Sequence, residues 1–166
     1  MLPELLVLFI VPALLAASAG WDLASYKIPN FLPIALIALF SVFALASGMT
    51  GIGSHVLAGG AGFAIGLALF AFGLIGGGDA KLFAAVTLWL GFSSLLEYAL
   101  ITSLMGGALA LFLISIRKLP MPAAFTSQGW LMRLHDSNSG IPYGVALAAA
   151  ALFVLPHTDV FRLAAG

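Results

Sequence analysis

Residues Leu95 to Ile116 read LLEYALITSLMGGALALFLISI, a run whose only charge, Glu97, sits near its start. A bilayer core is about 30 Å thick and takes about 20 apolar residues of helix to cross. This stretch has that length, and the chain around it has the same character. Of 166 residues, 63% are hydrophobic and 7% charged, where an ordinary soluble domain carries about 25% charged residues. Six Lys and Arg, six Asp and Glu and three His cannot cover the surface a soluble domain of this size leaves exposed. A soluble globular enzyme, a disordered chain and a nucleic-acid binder, which would need a basic patch, are excluded. The expected fold class is an all-α polytopic membrane protein, 1–166 forming one transmembrane domain, with the lipid bilayer as partner of its outer surface.

Outward from Leu95–Ile116, six apolar segments emerge: Leu5 to Trp21, Phe31 to Ser47, His55 to Ile75, Lys81 to Leu90, Leu95 to Ile116 and Ile141 to Leu155. The fourth and sixth are short for full spans. The first ends in Ala17-Ser18-Ala19, which resembles a signal-peptidase site, but Glu4 precedes it without Lys or Arg, so it reads as a retained span. Arg117 to Gly140 is the one extended polar link; its Phe125, Trp130, Leu131 and Met132 suit a segment lying in the membrane interface. With six spans, Lys27, Lys81, Arg117, Lys118 and Arg133 fall on one side and Arg162 on the other. That bias makes the richer side cytoplasmic and puts both termini outside. Gly59, Gly60, Gly62, Gly66, Gly106 and Gly107 are small residues of the kind that let helices approach closely in lipid.

Six acids are few enough to weigh one by one. Glu4, Asp136 and Asp159 read as solvated, and Glu97 suits a helix first turn. Asp22 and Asp79 differ. Both lie in mainly apolar sequence on the cytoplasmic side, and a carboxylate near membrane depth is costly. The plainer reading of each is a helix-end residue facing water. Asp79 also follows Gly76-Gly77-Gly78, a run that weakens helix and, at membrane depth, belongs beside protein or a water-filled cavity. The expectation is an unwound wet crevice with a carboxylate in its wall. Should the two acids meet, they share one proton. The ionised partner then takes a proton from water attacking a peptide carbonyl, and the protonated partner polarises the carbonyl and helps the amine leave.

The surroundings of both acids resemble a known family. Asp22-Leu23-Ala24-Ser25-Tyr26-Lys27-Ile28-Pro29-Asn30 is similar to the first signature of the type IV prepilin peptidases, an aspartate followed by Ile-Pro-Asn. Gly76-Gly77-Gly78-Asp79-Ala80-Lys81-Leu82 resembles their second, GxGD followed by Lys. Ile141-Pro142-Tyr143-Gly144 resembles their Pro-Tyr-Gly element. The resemblance keeps the family's order and covers nearly the whole chain. It implies a GxGD-class intramembrane aspartic endopeptidase of the bacterial inner membrane. Such an enzyme removes the leader of prepilins at the cytoplasmic face, just before their hydrophobic segment. The catalytic role carries over to Asp22 and Asp79 only. The long members have an N-terminal domain with paired cysteines and also N-methylate the product. This chain has no cysteine and its first span begins almost at once, so it resembles the short branch associated with Flp-type or tight-adherence pili. Methyltransferase activity and a structural zinc are not expected, nor is any cofactor.

The remaining residues of these motifs carry weaker readings. Gly76 and Gly78 shape the crevice. Lys81 either biases the acids or binds a substrate carbonyl, or it is an interfacial anchor, and Lys27 has the same readings with the anchor favoured. Asn30 reads as the N-cap of the second span, and Pro29 and Pro33 are compatible with that start. Pro142 suits a first turn, and Tyr143 and Gly144 follow it into the sixth span. His55, His135 and His157 are scattered and form no metal constellation. Two other functions remain open on the residues: a related GxGD protease acting on other signal peptides, and a small transporter or channel using the acids as a proton relay.

Overall fold

Proline and glycine set where the helices bend and break. The computed structural model describes residues 1–121 and 127–165, and among these every regular element is helical. Helix α1 (Leu2–Ser25) widens into a π-turn at Leu6–Ile10. Pro12 follows within two residues; its ring lacks an N–H and crowds the carbonyl four residues back, which a wider turn accommodates. Helix α2 (Phe31–Ser47) stops at Gly48, whose φ of +61° is a left-handed cap. Helices α3 (Ile52–Ala71), α4 (Gly77–Leu90) and α5 (Leu95–Ile116) follow, with a 3-10 turn at Phe92–Ser94 leading into α5. A short α6 (Gly129–His135) lies in the polar link. Helix α7 (Tyr143–Val154) passes through a 3-10 turn at Leu155–His157 into α8 (Asp159–Ala165).

All six apolar segments hold a helix, but the helix lengths do not supply six complete crossings. Leu2–Ser25, Ile52–Ala71 and Phe92–Ile116 are each long and apolar enough to cross a membrane, and α7 with α8, bent by 60°, makes a fourth candidate. Helix α2 is apolar with 17 residues, and α4 has 14. Helix α4 is short because it is enclosed: Leu82, Phe83, Ala85, Val86, Trp89 and Leu90 are all buried among its neighbours. It behaves as the core helix of the bundle, and the others supply the lipid-facing surface, where Leu45, Leu96 and Leu104 stay exposed.

The glycines of α3 explain how α4 is held. Gly59, Gly62 and Gly66 face Leu88, Thr87 and Ala80, and a Cβ on Gly66 would lie 2.9 Å from the Ala80 carbonyl oxygen. Without side chains at these steps the two backbones approach closely. The opposite side of α4 is locked by Trp89, whose ring centroid is 5.5 Å from those of Phe40 and Phe43 and whose indole N–H donates to Leu36 O at 2.8 Å. Gly62→Val is expected to destabilise the fold by about 1–3 kcal/mol through overpacking against Thr87. Gly60→Ala, with nothing within 4 Å of the added carbon, is expected to be neutral. Thermal unfolding of the two variants in detergent measures the difference.

The residues past Leu155 are more ordered than a solvated tail. Helix α8 buries Val160 and Ala164 and packs on the start of α1, while Asp159 pairs with Arg162 at 3.2 Å on the exposed side. In the polar link, Phe125 lies outside the described residues; Trp130 and Met132 are exposed on α6. Arginines pin this link to main-chain carbonyls. Arg117 donates to Leu134 O, Ser139 O and Gly140 O at 2.8–3.0 Å, and Arg133 donates to Ala24 O at 2.6 Å. The last contact ties α6 to the C-terminal turn of α1, where carbonyls lack intrahelical partners.

Candidate active site

Helix α1 carries Asp22 one turn before its end. The side chain is 4% exposed, and its Oδ2 accepts the Gly144 N–H at 2.7 Å across from the start of α7. Gly144 has no room for a side chain. A Cβ there would lie 2.9 Å from Asp22 Oδ2 and 2.7 Å from Ile28 Cδ1. Beyond Asp22 the helix ends at Tyr26, the one non-glycine residue with positive φ among those described (55°), and the Tyr26 N–H closes back on Asp22 O at 2.7 Å. A side chain in this left-handed conformation costs roughly 1–2 kcal/mol. The turn swings Lys27 and Ile28 back beneath Asp22. Burial pushes the Tyr26 phenol above its ordinary value against the opposing pull of Arg117, so it stays protonated at neutral pH.

Asp79 is the third residue of α4. Its Oδ2 accepts the N–H of Gly76, the N-cap residue, at 3.0 Å. One oxygen therefore serves as a helix cap. The other, Oδ1, is buried and makes no hydrogen bond among the described residues. A buried carboxylate oxygen left bare is expensive unless water or a ligand meets it. Of the three glycines before Asp79, only Gly76 is non-helical (ψ 154°); Gly77 and Gly78 already lie in the first turn of α4. The non-helical stretch thus ends at Gly76 and lies mostly before the glycine run, from Phe72 on. Gly78 serves packing instead: a Cβ there would lie 3.1 Å from Ile28 Cβ and 3.3 Å from Ile28 N. The absence of that carbon lets the Asp79 turn seat directly on the loop after Asp22.

The two loops enclose one cavity of about 280 Å³, lined by Asp22, Tyr26, Lys27, Ile28, Gly76–Gly78 and Asp79. Both carboxylates share it, each with one oxygen oriented by a main-chain N–H. Such a pair can hold a water and pass a proton to or from it. The described residues contain no group of three His, Asp or Glu side chains able to grip a metal.

The other motif residues divide. Lys27, Gly76 and Gly78 line the cavity. Lys81 does not: its Nζ donates to Asn30 Oδ1 at 2.9 Å and borders a separate groove with Pro33 and Ile34. Asn30 occupies the N-cap position of α2, but its own φ and ψ are helical and its side chain makes no cap bond. An N-cap needs extended backbone to aim its oxygen at the helix, so the side chain is free to accept from Lys81. Pro29 O accepts the Leu32 N–H at 3.1 Å, giving Pro29 a turn role. Pro142 precedes α7 as its N-cap residue rather than entering the first turn. Tyr143 packs its ring on Gly106 of α5 and lines a second cavity, not the acidic one. Tyr26 and Arg133 are not candidates on pattern, and Ile28 enters only as part of the Ile-Pro-Asn signature; nothing local marks Tyr26 as left-handed, and Arg133 reads from sequence only as one more basic residue. Lys81→Ala is expected to cost at most about 1 kcal/mol of stability, the scale of one exposed contact. Thermal unfolding of the two proteins in detergent measures it.

Residues 9–111 match the profile of the Type IV leader peptidase family, a stretch that includes both acids and stops short of Gly144. A curated protein of Aeromonas hydrophila, "Prepilin leader peptidase/N-methyltransferase", is 30% identical over 145 residues, covering 83% of this chain and 44% of that protein. The chain therefore spans less than half the length of this curated relative. No solved structure gives a significant match.

Proposed function

The chain belongs to the type IV leader peptidase family, and from that membership we propose an intramembrane aspartic endopeptidase that removes the leader of type IV prepilins. The observation that carries this reading is the shared cavity: two acids far apart in sequence, Asp22 and Asp79, line one pocket of about 280 Å³. Water between them is deprotonated by the ionised partner as it attacks the scissile carbonyl. The protonated partner polarises that carbonyl, and a proton then passes to the departing amine. The pair titrates as a unit, so neither acid owns a fixed role. The Oδ1 of Asp79 makes no hydrogen bond among the described residues.

The finer reading is a Flp-type prepilin substrate, cleaved on the cytoplasmic face of the bacterial inner membrane with both termini outside. Its support is the similarity of the motifs, together with the distribution of cations. Lys27, Lys81, Arg117 and Arg133 gather at the acid end of the helices, which favours that end facing the cytoplasm. The test is direct. Membranes holding the protein are incubated with a Flp-type prepilin, a long-branch prepilin and an unrelated secretory precursor, and the products are weighed by mass spectrometry. Loss of the leader from the first is expected. An unchanged Flp-type prepilin overturns the substrate assignment, and an added methyl on its new N-terminus overturns the expectation of cleavage alone.

A further inference from the structure

The Gly144 N–H reaches Asp22 Oδ2 only if the start of α7 is held in place. It belongs to the second residue of α7, where a main-chain donor has no partner inside the helix. Pro142, the N-cap residue, makes no side-chain cap bond. The turn therefore takes its position from its packing and from the chain that leads into it.

That chain is gripped by Arg117, at the end of α5. Each guanidinium nitrogen donates to a different carbonyl: Nε to Leu134 O at 2.9 Å, Nη1 to Ser139 O at 3.0 Å and Nη2 to Gly140 O at 2.8 Å. Leu134 lies in the last turn of α6, and among the described residues no main-chain N–H reaches Ser139 O or Gly140 O. Only Ile141, Pro142 and Tyr143 separate Gly140 from Gly144. So short a link spans at most about 14 Å, and the Pro142 ring stiffens it, so a shift at Gly140 passes to Gly144. The other end of the same segment is tied to the helix of Asp22, where Arg133 donates to Ala24 O. The segment thus brackets the Asp22 turn and Gly144 together. Arg117 pairs with no acid among the described residues, so its place is set by the carbonyls. A lysine keeps the charge but is a single point, and cannot meet three carbonyls spread around a plane.

We propose that Arg117 is a positioning residue of the acid site: its fork fixes the lead-in to α7 and, through the Gly144 N–H, the orientation of the Asp22 carboxyl. The effect on rate rests on the leader-peptidase reading, and the effect on Gly144 rests on geometry alone.

Arg117→Lys is compared with the unmodified protein and with Lys118→Ala, which removes a charge from the adjacent exposed position. Amide hydrogen exchange in detergent is read at the glycines by NMR, the Gly144 signal being the one missing from Gly144→Ala. Exchange at Gly144 is expected to rise about tenfold or more in Arg117→Lys, with Gly59 and Gly62 of α3 unchanged. In membranes with a prepilin, kcat is expected to fall about tenfold to a hundredfold with KM within about twofold. Lys118→Ala is expected to match the unmodified protein. In a Gly144→Ala background, Arg117→Lys is expected to cost no further rate, because both lesions break one linkage. Unchanged exchange at Gly144, a change in KM alone, or full additivity with Gly144→Ala overturns the proposal. An equal loss in Lys118→Ala assigns the effect to charge and overturns it too. Exchange that rises at Gly59 and Gly62 as well makes Arg117 a general support of the fold, with the same consequence. The exchange readout requires no cleavage, so the two readings fail separately. An unmodified protein that leaves prepilin uncut, while Gly144 still responds to Arg117→Lys, sinks the peptidase reading alone. Normal cleavage by Arg117→Lys sinks the positioning role alone.

Discussion

Asp22→Asn and Asp79→Asn are each expected to reduce leader removal about a thousandfold or more, the scale of losing a positioned proton-transfer group. On the proposed mechanism the acids act as one unit, so the double variant is expected to be no worse than either single. The folded protein is expected to survive both changes. Asparagine keeps an oxygen for the Gly144 N–H at position 22 and for the Gly76 N–H at position 79. That separates chemistry from capping. Asp79→Ala loses the cap as well and is expected to cost about 1 kcal/mol of stability on top of the lost activity. Cleaved fraction by mass and melting temperature in detergent, measured on the same preparations, check both halves. An Asp79→Asn protein that cuts at the normal rate would reduce Asp79 to a helix cap and remove the catalytic pair.

Gly144→Ala is the second large effect. The added carbon would lie 2.9 Å from Asp22 Oδ2 and 2.7 Å from Ile28 Cδ1, neither of which can retreat far. Asp22 is 4% exposed and Ile28 is itself clamped against Gly78. Either α7 moves off and the 2.7 Å hydrogen bond breaks, or the carboxylate rotates out of the shared cavity. Misplacement by about 1 Å is enough to cost about a hundredfold in rate. Gly107→Ala is the control, because nothing lies within 4 Å of its added carbon. The expected result is a loss of about two orders of magnitude in kcat for Gly144→Ala and none for Gly107→Ala, with similar expression of both. A fully active Gly144→Ala protein would show that the orientation of Asp22 does not depend on the Gly144 contact.

Much of this is legible in the amino-acid sequence. Composition declared a helical membrane protein, since no aqueous surface could be built from so few charges. Asp22 and Asp79 stood out by their apolar surroundings and by the motifs around them. The glycines of the third segment announced close packing, although their partner in α4 was not readable. The sequence misled where one residue has two structural uses. Asn30 occupies a cap position yet bonds Lys81. The glycines before Asp79 suggested unwinding, but two of them are helical, and Gly78 is small to admit Ile28. Six apolar runs suggested six crossings, but α4 is 14 residues long because its surroundings are protein.

Sequence by itself determined the class of fold, the bilayer as solvent and which two acids lie in apolar surroundings, because each follows from local content: hydropathy per residue and charge in apolar context. Tertiary structure alone decided that the acids share a cavity. It decided too that Gly144 donates to one and Gly76 to the other. Those facts depend on how helices distant in the chain pack together. Side-chain volume at a few contact steps sets that packing, and no local run of sequence records it.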